Sequence, residues 1–183
     1  MTTAPTHEDV LRFWFEESTP KQHFVKDPAF DALIRERFGT LHARAVAGEL
    51  TAWRQTPEGR LAEIIVLDQF SRNIHRGQPA AFAQDDMALT LAQEAVRVGA
   101  DQALGPQQRV FLYMPYMHSE SEAIQAESVR LYTGLGLENN LRFAQAHKDI
   151  IDRFGRYPHR NEILGRPSRP DELAFLEQPG SAF

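Results

Sequence analysis

The sequence predicts an all-α protein of about seven to nine helices, packed as antiparallel hairpins within one domain over residues 1–183. Apolar side chains recur at intervals of three and four residues, as at Leu61, Ile64 and Ile65, which places them on one helical face. Residues that begin and end helices recur at short intervals along the chain. No segment alternates apolar and polar residues as a strand does, and no Asn-Gly or Asp-Gly hairpin turn occurs.

Four helix starts are recognisable in the first half of the chain. A capping side chain accepts a hydrogen bond from an N–H group of the first turn, and proline suits the first helical position because it has no N–H. These starts, with the segments they precede, are Thr6 with Asp9 before VLRFWFEE, Asp27-Pro28 before FDALIRERFGTLHARAVAG, Thr56-Pro57 before EGRLAEIIVLDQF, and Asp85 before MALTLAQEAVRVG. The last of these helices is expected to end at Gly99.

Four further starts follow in the second half of the chain. They are Gly105-Pro106 before QQRVFLYM, Ser119 with Glu122 before a helix to about Thr133, Asn139 or Asn140 before a run to Phe154, and Ser168 with Asp171 and Pro170 before DELAFLEQ. Gly155 is expected to stop the run that reaches Phe154. Pro115 should kink or end its helix, because proline lacks the N–H that an interior helical bond needs.

Composition and charge exclude several classes of protein. The 183 residues include no cysteine, which excludes disulfides, cysteine-based zinc sites and a cysteine nucleophile. A formal net charge of -5 argues against a nucleic-acid partner, which requires a broad basic surface. The segment MTTAPTHEDV does not resemble a signal peptide, and the longest aliphatic run, Ile64 to Leu67, is far shorter than the roughly 20 residues of a membrane span. We therefore expect a soluble cytoplasmic protein with no membrane partner; the sequence leaves its oligomeric state open.

Two polar stretches interrupt this acidic chain with clustered arginine and histidine: QFSRNIHRG at 69–77 and RFGRYPHRN at 153–161. Aligning the aspartate before each stretch brings five positions into register, namely Asp68 with Asp152, Phe70 with Phe154, Arg72 with Arg156, His75 with His159, and Arg76 with Arg160. In each, the aspartate and the first arginine are four residues apart, which predicts a helical ion pair. The match is consistent with stacked helical hairpins whose equivalent ends recur.

Two interpretations of these arginines are open. In the first, they bind carbonyls at helix ends and pair with neighbouring carboxylates, as ion-pair networks commonly do. In the second, they form an anion site, since arginine binds phosphate or carboxylate with two parallel hydrogen bonds and histidine adds a titratable donor.

A third polar stretch, MPYMHSE at 114–120, offers a different chemistry. A metal site there would need His118, one of the two glutamates Glu120 and Glu122, and a distant histidine such as His147. The simpler interpretation is that Glu122 completes a capping box, Glu120 favours the helix N-terminus, and His118 bonds locally. No metal-binding motif of known spacing is present, and we predict no metal and no cofactor. His147 lies on an apolar helical face, which favours a core histidine.

The segments LDQFSRNIHRG, YMPYMHSE and HKDIIDRFGRYPHRNEILGR together resemble a bacterial family, domain of unknown function family 924, and the likeness extends nearly end to end. The resemblance implies an all-α fold similar to tetratricopeptide repeats, with helical hairpins in a curved array. It transfers no activity, because none is established for the family. It does mark the family's characteristic residues in this chain, which are Asp68, Gln69, Arg72, Asn73, His118, Glu120, His147, Arg153, Arg156, His159, Arg160 and Asn161.

The first functional hypothesis is a binding or enzymatic pocket for an anionic small molecule, in which the two basic stretches and the His118 region converge. His118 or His159 would act as donor or general acid and base, and Glu120 would orient it. The ligand-binding residues would be Asp68, Arg72, Asn73, Arg153, Arg156, Arg160 and Asn161.

Two other hypotheses remain open. A helical-repeat interaction module would present a concave surface, whose basic residues hold the carboxylate of a peptide partner. A purely structural role would have the arginines and acids pair with one another, so that the loss of Arg156 lowers stability and no ligand binds.

Overall fold

The computed structural model describes residues 4–182, and in that range the protein is helical without strands. Its nine helices are α1 (His7–Arg12, continued by a π-helical turn at Phe13–Glu17), α2 (Pro20–Phe24), α3 (Pro28–Val46), α4 (Pro57–Ile65, continued by a π-helical turn at Val66–Phe70 and by Ser71–Ile74), α5 (Asp85–Arg97), α6 (Pro106–His118), α7 (Glu122–Leu135), α8 (Glu138–Phe154) and α9 (Pro170–Leu176). Short 3-10 turns lie at Thr51–Gln55, Pro79–Ala81, Ala100–Ala103 and Pro158–Arg160. The all-α prediction is confirmed.

Four of the predicted helix starts form as expected, and one of these is Gly105-Pro106, since α6 begins at Pro106. Thr6 and Asp9 make a reciprocal capping box at the start of α1. The Asp27 carboxylate accepts hydrogen bonds from the first turn of α3, and Thr56 caps α4 through the backbone N–H of Gly59 at 3.1 Å. These caps were predictable because both partners lie within three residues of each other.

Four predicted starts are wrong in detail. Asp85 is the first residue of α5 and not its cap, since the cap position is Gln84. The helix assigned to the Ser119 cap begins at Glu122 after Ser121, and Ser119 makes no capping box. The remaining two starts are displaced: the cap position of α8 is Leu137 rather than Asn139 or Asn140, and the cap position of α9 is Arg169 rather than Ser168.

Two further features were not predicted. The short helix α2 begins with a capping box between Thr19 and Gln22 that the sequence reading missed. Pro115 does not end α6, which continues through it to His118. A proline inside a helix leaves the carbonyl four residues earlier without its usual donor, but the rest of the helix can still propagate.

The chain forms two compact units. The first ends at Arg76 and resumes over Ala80–Pro115, and the second comprises Gly77–Pro79 and the chain from Tyr116 onward. The division therefore falls inside α6. The single domain expected over residues 1–183 and the curved array of hairpins both remain predictions.

The first unit is built around α4, which α1, α3 and α5 contact. Every residue from 61 to 70 is buried, including Glu63, Asp68 and Gln69. A helix that is buried on all sides must satisfy its polar side chains inside the protein, because an unpaired buried charge is strongly destabilising. Aromatic rings of α1, α3 and α4 fill the adjoining core, with Phe13 and Phe38 each 5.0–6.1 Å from Phe70 between ring centroids.

The second unit is based on the hairpin of α7 and α8. Gly136, in the left-handed conformation with φ 75°, ends α7, and Leu137 leads directly into α8. A glycine suits this position because its lack of a Cβ removes the cost of positive φ. Ile150, Ile151, Phe154 and Tyr157 form the unit's apolar cluster, against which Phe175 of α9 packs. Among the described residues, no helix is both long enough and apolar enough to span a membrane.

Candidate functional site

The first polar stretch lies in the first unit, where Arg72 forms a two-pronged ion pair. Its guanidinium donates to the two carboxylate oxygens of Asp85 at 2.8 and 3.0 Å and to Asp68 Oδ1 at 3.1 Å. Gln69 Nε2 donates to the other oxygen of Asp68 at 2.6 Å. The predicted Asp68–Arg72 pair is therefore present, and Arg72 is already bound to two carboxylates.

The end of the same stretch is joined to α3. Arg76 donates to both oxygens of Asp31 at 2.6 and 2.8 Å, and Asn73 Nδ2 donates to Asp31 Oδ1 at 2.8 Å. Arg35 Nη2 donates to the carbonyl of Ile74 at 2.6 Å, at the end of α4. These bonds use side-chain donors of the stretch to hold α3 against α4, as the structural interpretation predicted.

A buried histidine accompanies this contact. His42 Nε2 lies 2.8 Å from Ser71 Oγ, which donates in turn to the carbonyl of Leu67 at 2.5 Å. Because the hydroxyl proton is committed to that carbonyl, His42 Nε2 is the donor in the first bond. Burial, with the nearby His75 as a smaller cause, lowers the pKa of His42 to about 4, so this imidazole is neutral near pH 7.

The second polar stretch lies in the second unit and forms a different ion pair from the one expected. Arg156 donates to Glu172 of α9 at 2.7 and 2.8 Å, whereas Asp152 pairs with Lys148. The predicted Asp152–Arg156 pair is wrong because Gly155, with φ 71°, ends α8 and turns Arg156 away from the helix. The hydrogen bonds from Arg156, aided by the backbone N–H of Arg169, lower the pKa of Glu172 to about 2.

Glu120 is held by a partner that the sequence reading did not identify. Arg166 donates to its two oxygens at 2.7 and 2.9 Å, and the backbone N–H of Tyr157 donates to Oε1 at 2.7 Å. Burial would raise the pKa of Glu120, but these hydrogen bonds outweigh it and the pKa lies below its ordinary value. Glu120 was expected to orient a histidine, yet these three bonds tie it to the loop after α8.

Tyr157 contacts several polar groups of the second unit. Its hydroxyl donates to the carbonyl of Met117 at 2.5 Å, and its ring is fully buried. The Arg160 guanidinium lies 4.6 Å from the ring centroid and donates to the carbonyl of His118 at 3.0 Å. The rings of His147 and His159 lie 5.7 and 5.6 Å from the tyrosine ring. We refer to Tyr157, His118, His147, His159 and Arg160 as the Tyr157 cluster.

Within this cluster His147 is the buried member, as the sequence predicted for a core histidine. Its Nδ1 donates to the carbonyl of Phe143 at 2.8 Å, which makes Nε2 the acceptor nitrogen of the neutral ring. Burial lowers the pKa of His147 to about 3, and the positive charges of His118, His159 and Arg160 act in the same direction. His118 and His159 are only partly buried.

The remaining predicted ligand residues have structural partners. Asn161 is fully buried, donates to Ser168 and Glu172, and accepts from Arg166 Nε at 3.0 Å. Arg153 is exposed and lies over the rings of Phe154 and Phe175. Between residues 4 and 182, no three His, Asp or Glu side chains are grouped so that they could hold a metal ion, which leaves the alternative of a His118–glutamate–His147 metal site without support.

Comparison with known proteins identifies the family. The bacterial family of unknown function DUF924 matches residues 10–180 of the chain. The chain belongs to this family. The solved structure of a protein of unknown function from Agrobacterium tumefaciens is 42% identical to this chain and superposes with a TM-score of 0.89. The match covers 93% of this chain and 96% of the Agrobacterium protein. No curated protein matches the chain.

In this DUF924 member, the sequence reading identified the region but missed four residues that organise it. Arg166 and Glu172 complete the two ion pairs of the second unit, and Tyr157 and Gln125 link its loop to the end of α6. Arg166 and Tyr157 lie next to polar residues that were noticed, so proximity was the available signal. Glu172 and Gln125 could not be assigned these roles from the sequence, because Arg156 and Tyr157, to which they bond, lie in other segments of the chain.

Proposed function

We propose that the protein binds a small anion, a phosphate or carboxylate, at the Tyr157 cluster. The supporting observation is that the imidazoles of His147 and His159 and the guanidinium of Arg160 lie around the Tyr157 ring, and that Arg160 also bonds the carbonyl of His118. His118 and His159 are partly exposed. The nearby carboxylate of Glu120 is matched by Arg166. Imidazole and guanidinium N–H groups are the donors that recognise phosphate and carboxylate oxygens.

The electrostatics of His147 support the same proposal. Part of the depression of its pKa comes from positive charge at His118, His159 and Arg160, so the cluster disfavours one more cation. A bound anion would relieve that repulsion and raise the pKa of His147.

The proposal assigns new roles to the residues predicted from the sequence. His118, His159 and Arg160 would contact the anion, and His118 or His159 would move a proton if a reaction occurs there. Arg72, Arg156, Asn73, Asn161 and the carboxylate of Asp68 would support the fold through the ion pairs and hydrogen bonds described above. The cytoplasm is the compartment we propose, where phosphorylated and carboxylated metabolites are abundant.

Histidine resonances provide a direct test. In protein labelled with 13C at histidine, titration with inorganic phosphate, pyrophosphate and citrate should shift the ring signals of His118, His159 and His147. The signals of His42 and His75 serve as internal controls, since that pair lies in the other unit. A peptide with a free C-terminus and its amidated form complete the panel; selective binding of the free form would favour the interaction module.

A matched pair of variants sharpens the test. His159→Asn should weaken phosphate binding about tenfold, because one charge-assisted hydrogen bond is lost. His75→Asn, at the aligned position of the first stretch, should leave phosphate affinity unchanged. If no anion shifts the His118 and His159 signals more than those of His42 and His75, the proposal is wrong.

A further inference from the structure

Helix α7 carries two buried polar atoms that have no hydrogen-bond partner among the described residues. They are Gln125 Oε1 and Ser128 Oγ, and both residues are 0% exposed. Buried polar side-chain atoms are nearly always paired, because each unpaired one loses its hydrogen bonds to water without replacement. Two such atoms one helical turn apart on the same face are unusual and point to a group that binds between them.

The orientation of the Gln125 amide is determined by its neighbours. Its Nε2 lies 2.9 Å from the carbonyl of Met117, 2.7 Å from that of Ser119 and 2.8 Å from the Tyr157 hydroxyl. Only the nitrogen can donate to two carbonyls, so the oxygen is the atom that faces away from the end of α6. The unpaired atom is therefore an acceptor.

These atoms belong to the same neighbourhood as the proposed anion site. Gln125 contacts the Tyr157 hydroxyl, and the Tyr157 ring contacts His147, His159 and Arg160. Because α7 and α8 are antiparallel and joined by a short turn, positions equally far from that turn lie side by side. Gln125 and Ser128 on α7 correspond in this way to the part of α8 that carries His147, whose Nε2 is an acceptor.

We propose that Gln125 and Ser128 bind a hydroxyl group of the anion held by the Tyr157 cluster, so that the ligand is a hydroxylated phosphate or carboxylate. This inference rests on the proposed function and extends it to the substrate class. The unpaired atoms are uncharged, so they suit a neutral donor; a buried ammonium group would need a carboxylate partner to offset its desolvation. The donors of the cluster and the acceptors of α7 would then contact opposite ends of one ligand.

The test compares two ligands that differ by hydroxyl groups. Calorimetric titration of the wild-type protein should give an affinity for glycerol 3-phosphate about tenfold or more above that for n-propyl phosphate, since a site built for a hydroxyl is left with unpaired atoms by the analogue. Ser128→Ala should remove most of this preference while leaving the affinity for n-propyl phosphate unchanged. Thr133→Val, which alters an exposed hydroxyl bonded to Val129 in the same helix, should keep the preference.

The outcomes separate this inference from the proposed function. Equal affinity of the wild-type protein for the two phosphates would overturn the hydroxyl site and retain the anion site, as would an unchanged preference in Ser128→Ala. Failure of both phosphates and of inorganic phosphate to bind would overturn both. The wild-type comparison decides by itself if Ser128→Ala does not fold, although removal of an unpaired buried hydroxyl is expected to maintain or raise Tm.

Discussion

QFSRNIHRG and RFGRYPHRN share an aspartate, a phenylalanine, two arginines and a histidine in register, yet they fold differently. After Phe70 the chain continues as helix to Ile74, whereas after Phe154 it leaves α8 at Gly155. The difference follows from one position, where Ser71 keeps helical φ and ψ and Gly155 takes the left-handed conformation. The aligned residues of the two stretches are therefore identical in type but bind different partners.

The change of direction alters what each stretch does. In the first, Arg72, Arg76 and Asn73 all bind carboxylates and join helices of the first unit. In the second, Arg156 binds Glu172, but Arg160 stacks on Tyr157 beside two histidines. The first stretch is thus an ion-pair network, while the second combines such a network with a group of partly exposed nitrogen donors.

The aligned aspartates provide the largest expected contrast. Asp68 is buried and accepts from Arg72 and Gln69, so Asp68→Ala should lower the free energy of unfolding by about 3 to 5 kcal/mol. Asp152 is exposed and pairs with Lys148, so Asp152→Ala should change it by about 0.5 kcal/mol or less. Urea unfolding measures both values. Similar losses at the two positions would mean that the aligned residues are equivalent after all.

The buried histidines should make stability depend on pH. The pKa of His147 falls from 6.5 in the unfolded chain to about 3 in the folded one, so the unfolded state binds the proton first as the pH falls. Stability is complete above pH 6.5 and is lost progressively between about pH 6.5 and pH 3. Between pH 6.5 and pH 4 the free energy of unfolding of the wild-type protein should fall by about 3 kcal/mol more than that of His147→Leu.

The matching measurement in the first unit uses His42. The folded pKa of His42, about 4, is higher than that of His147. As the pH falls, the stability that depends on His42 should therefore be fully lost at a less acidic pH than the stability that depends on His147. Urea unfolding of His42→Leu, His147→Leu and the wild-type protein at a series of pH values checks the order. An unchanged pH dependence in His147→Leu would contradict the assignment of a neutral buried imidazole.

Gly155, the position at which the backbones of the two stretches diverge, can be tested directly. Gly155→Ala should destabilise the protein by roughly 1 to 2 kcal/mol, because alanine is strained at φ 71° although an added Cβ would meet nothing within 4 Å. Gly39→Ala is the control: it lies inside α3, also has open space, and should stabilise by up to about 1 kcal/mol. Thermal unfolding distinguishes the two directions, and a neutral Gly155→Ala would show that the turn does not depend on glycine.

The smallest effect is expected at Arg153, one of the ligand residues predicted from the sequence. Arg153→Ala should cost about 0.5 kcal/mol, from the loss of its contacts with Phe154 and Phe175, and should not change phosphate affinity. Calorimetry with inorganic phosphate checks the second part. A tenfold loss of affinity would return Arg153 to the site and extend it along α8.

Local signals explain how much of the fold was predictable. Thr6, Asp27 and Thr56 cap their helices through bonds within the first turn, so the sequence alone contains both partners. The start of α7 was misplaced because other residues bind Ser119 and Glu120: the Ser119 carbonyl accepts from Gln125 within α7, and Glu120 accepts from the distant Arg166. A competition between local and distant partners cannot be read from spacing.

The sequence predicted which segments contribute to the candidate site but not how their side chains are arranged. The second polar stretch and the His118 region were recognised from clustered arginine and histidine, and the structure brings His118, His159 and Arg160 together. Tyr157 was not recognised as their centre, because a tyrosine between polar residues has no distinctive spacing. The convergence of the two basic stretches on one site remains a prediction, since each belongs to its own unit.

The sequence by itself determined the all-α class, the first helix starts, the turn at Gly155 and the family to which the chain belongs, because these depend on neighbouring residues or on the order of motifs. Only the tertiary structure decided the ion pairs between distant residues, such as Arg72 with Asp85 and Arg166 with Glu120. Arg156 could reach Asp152 or Glu172, and the choice follows from the direction of the backbone after Gly155. Ion pairs form where three-dimensional geometry allows two hydrogen bonds at once, and that geometry is a property of the packed helices.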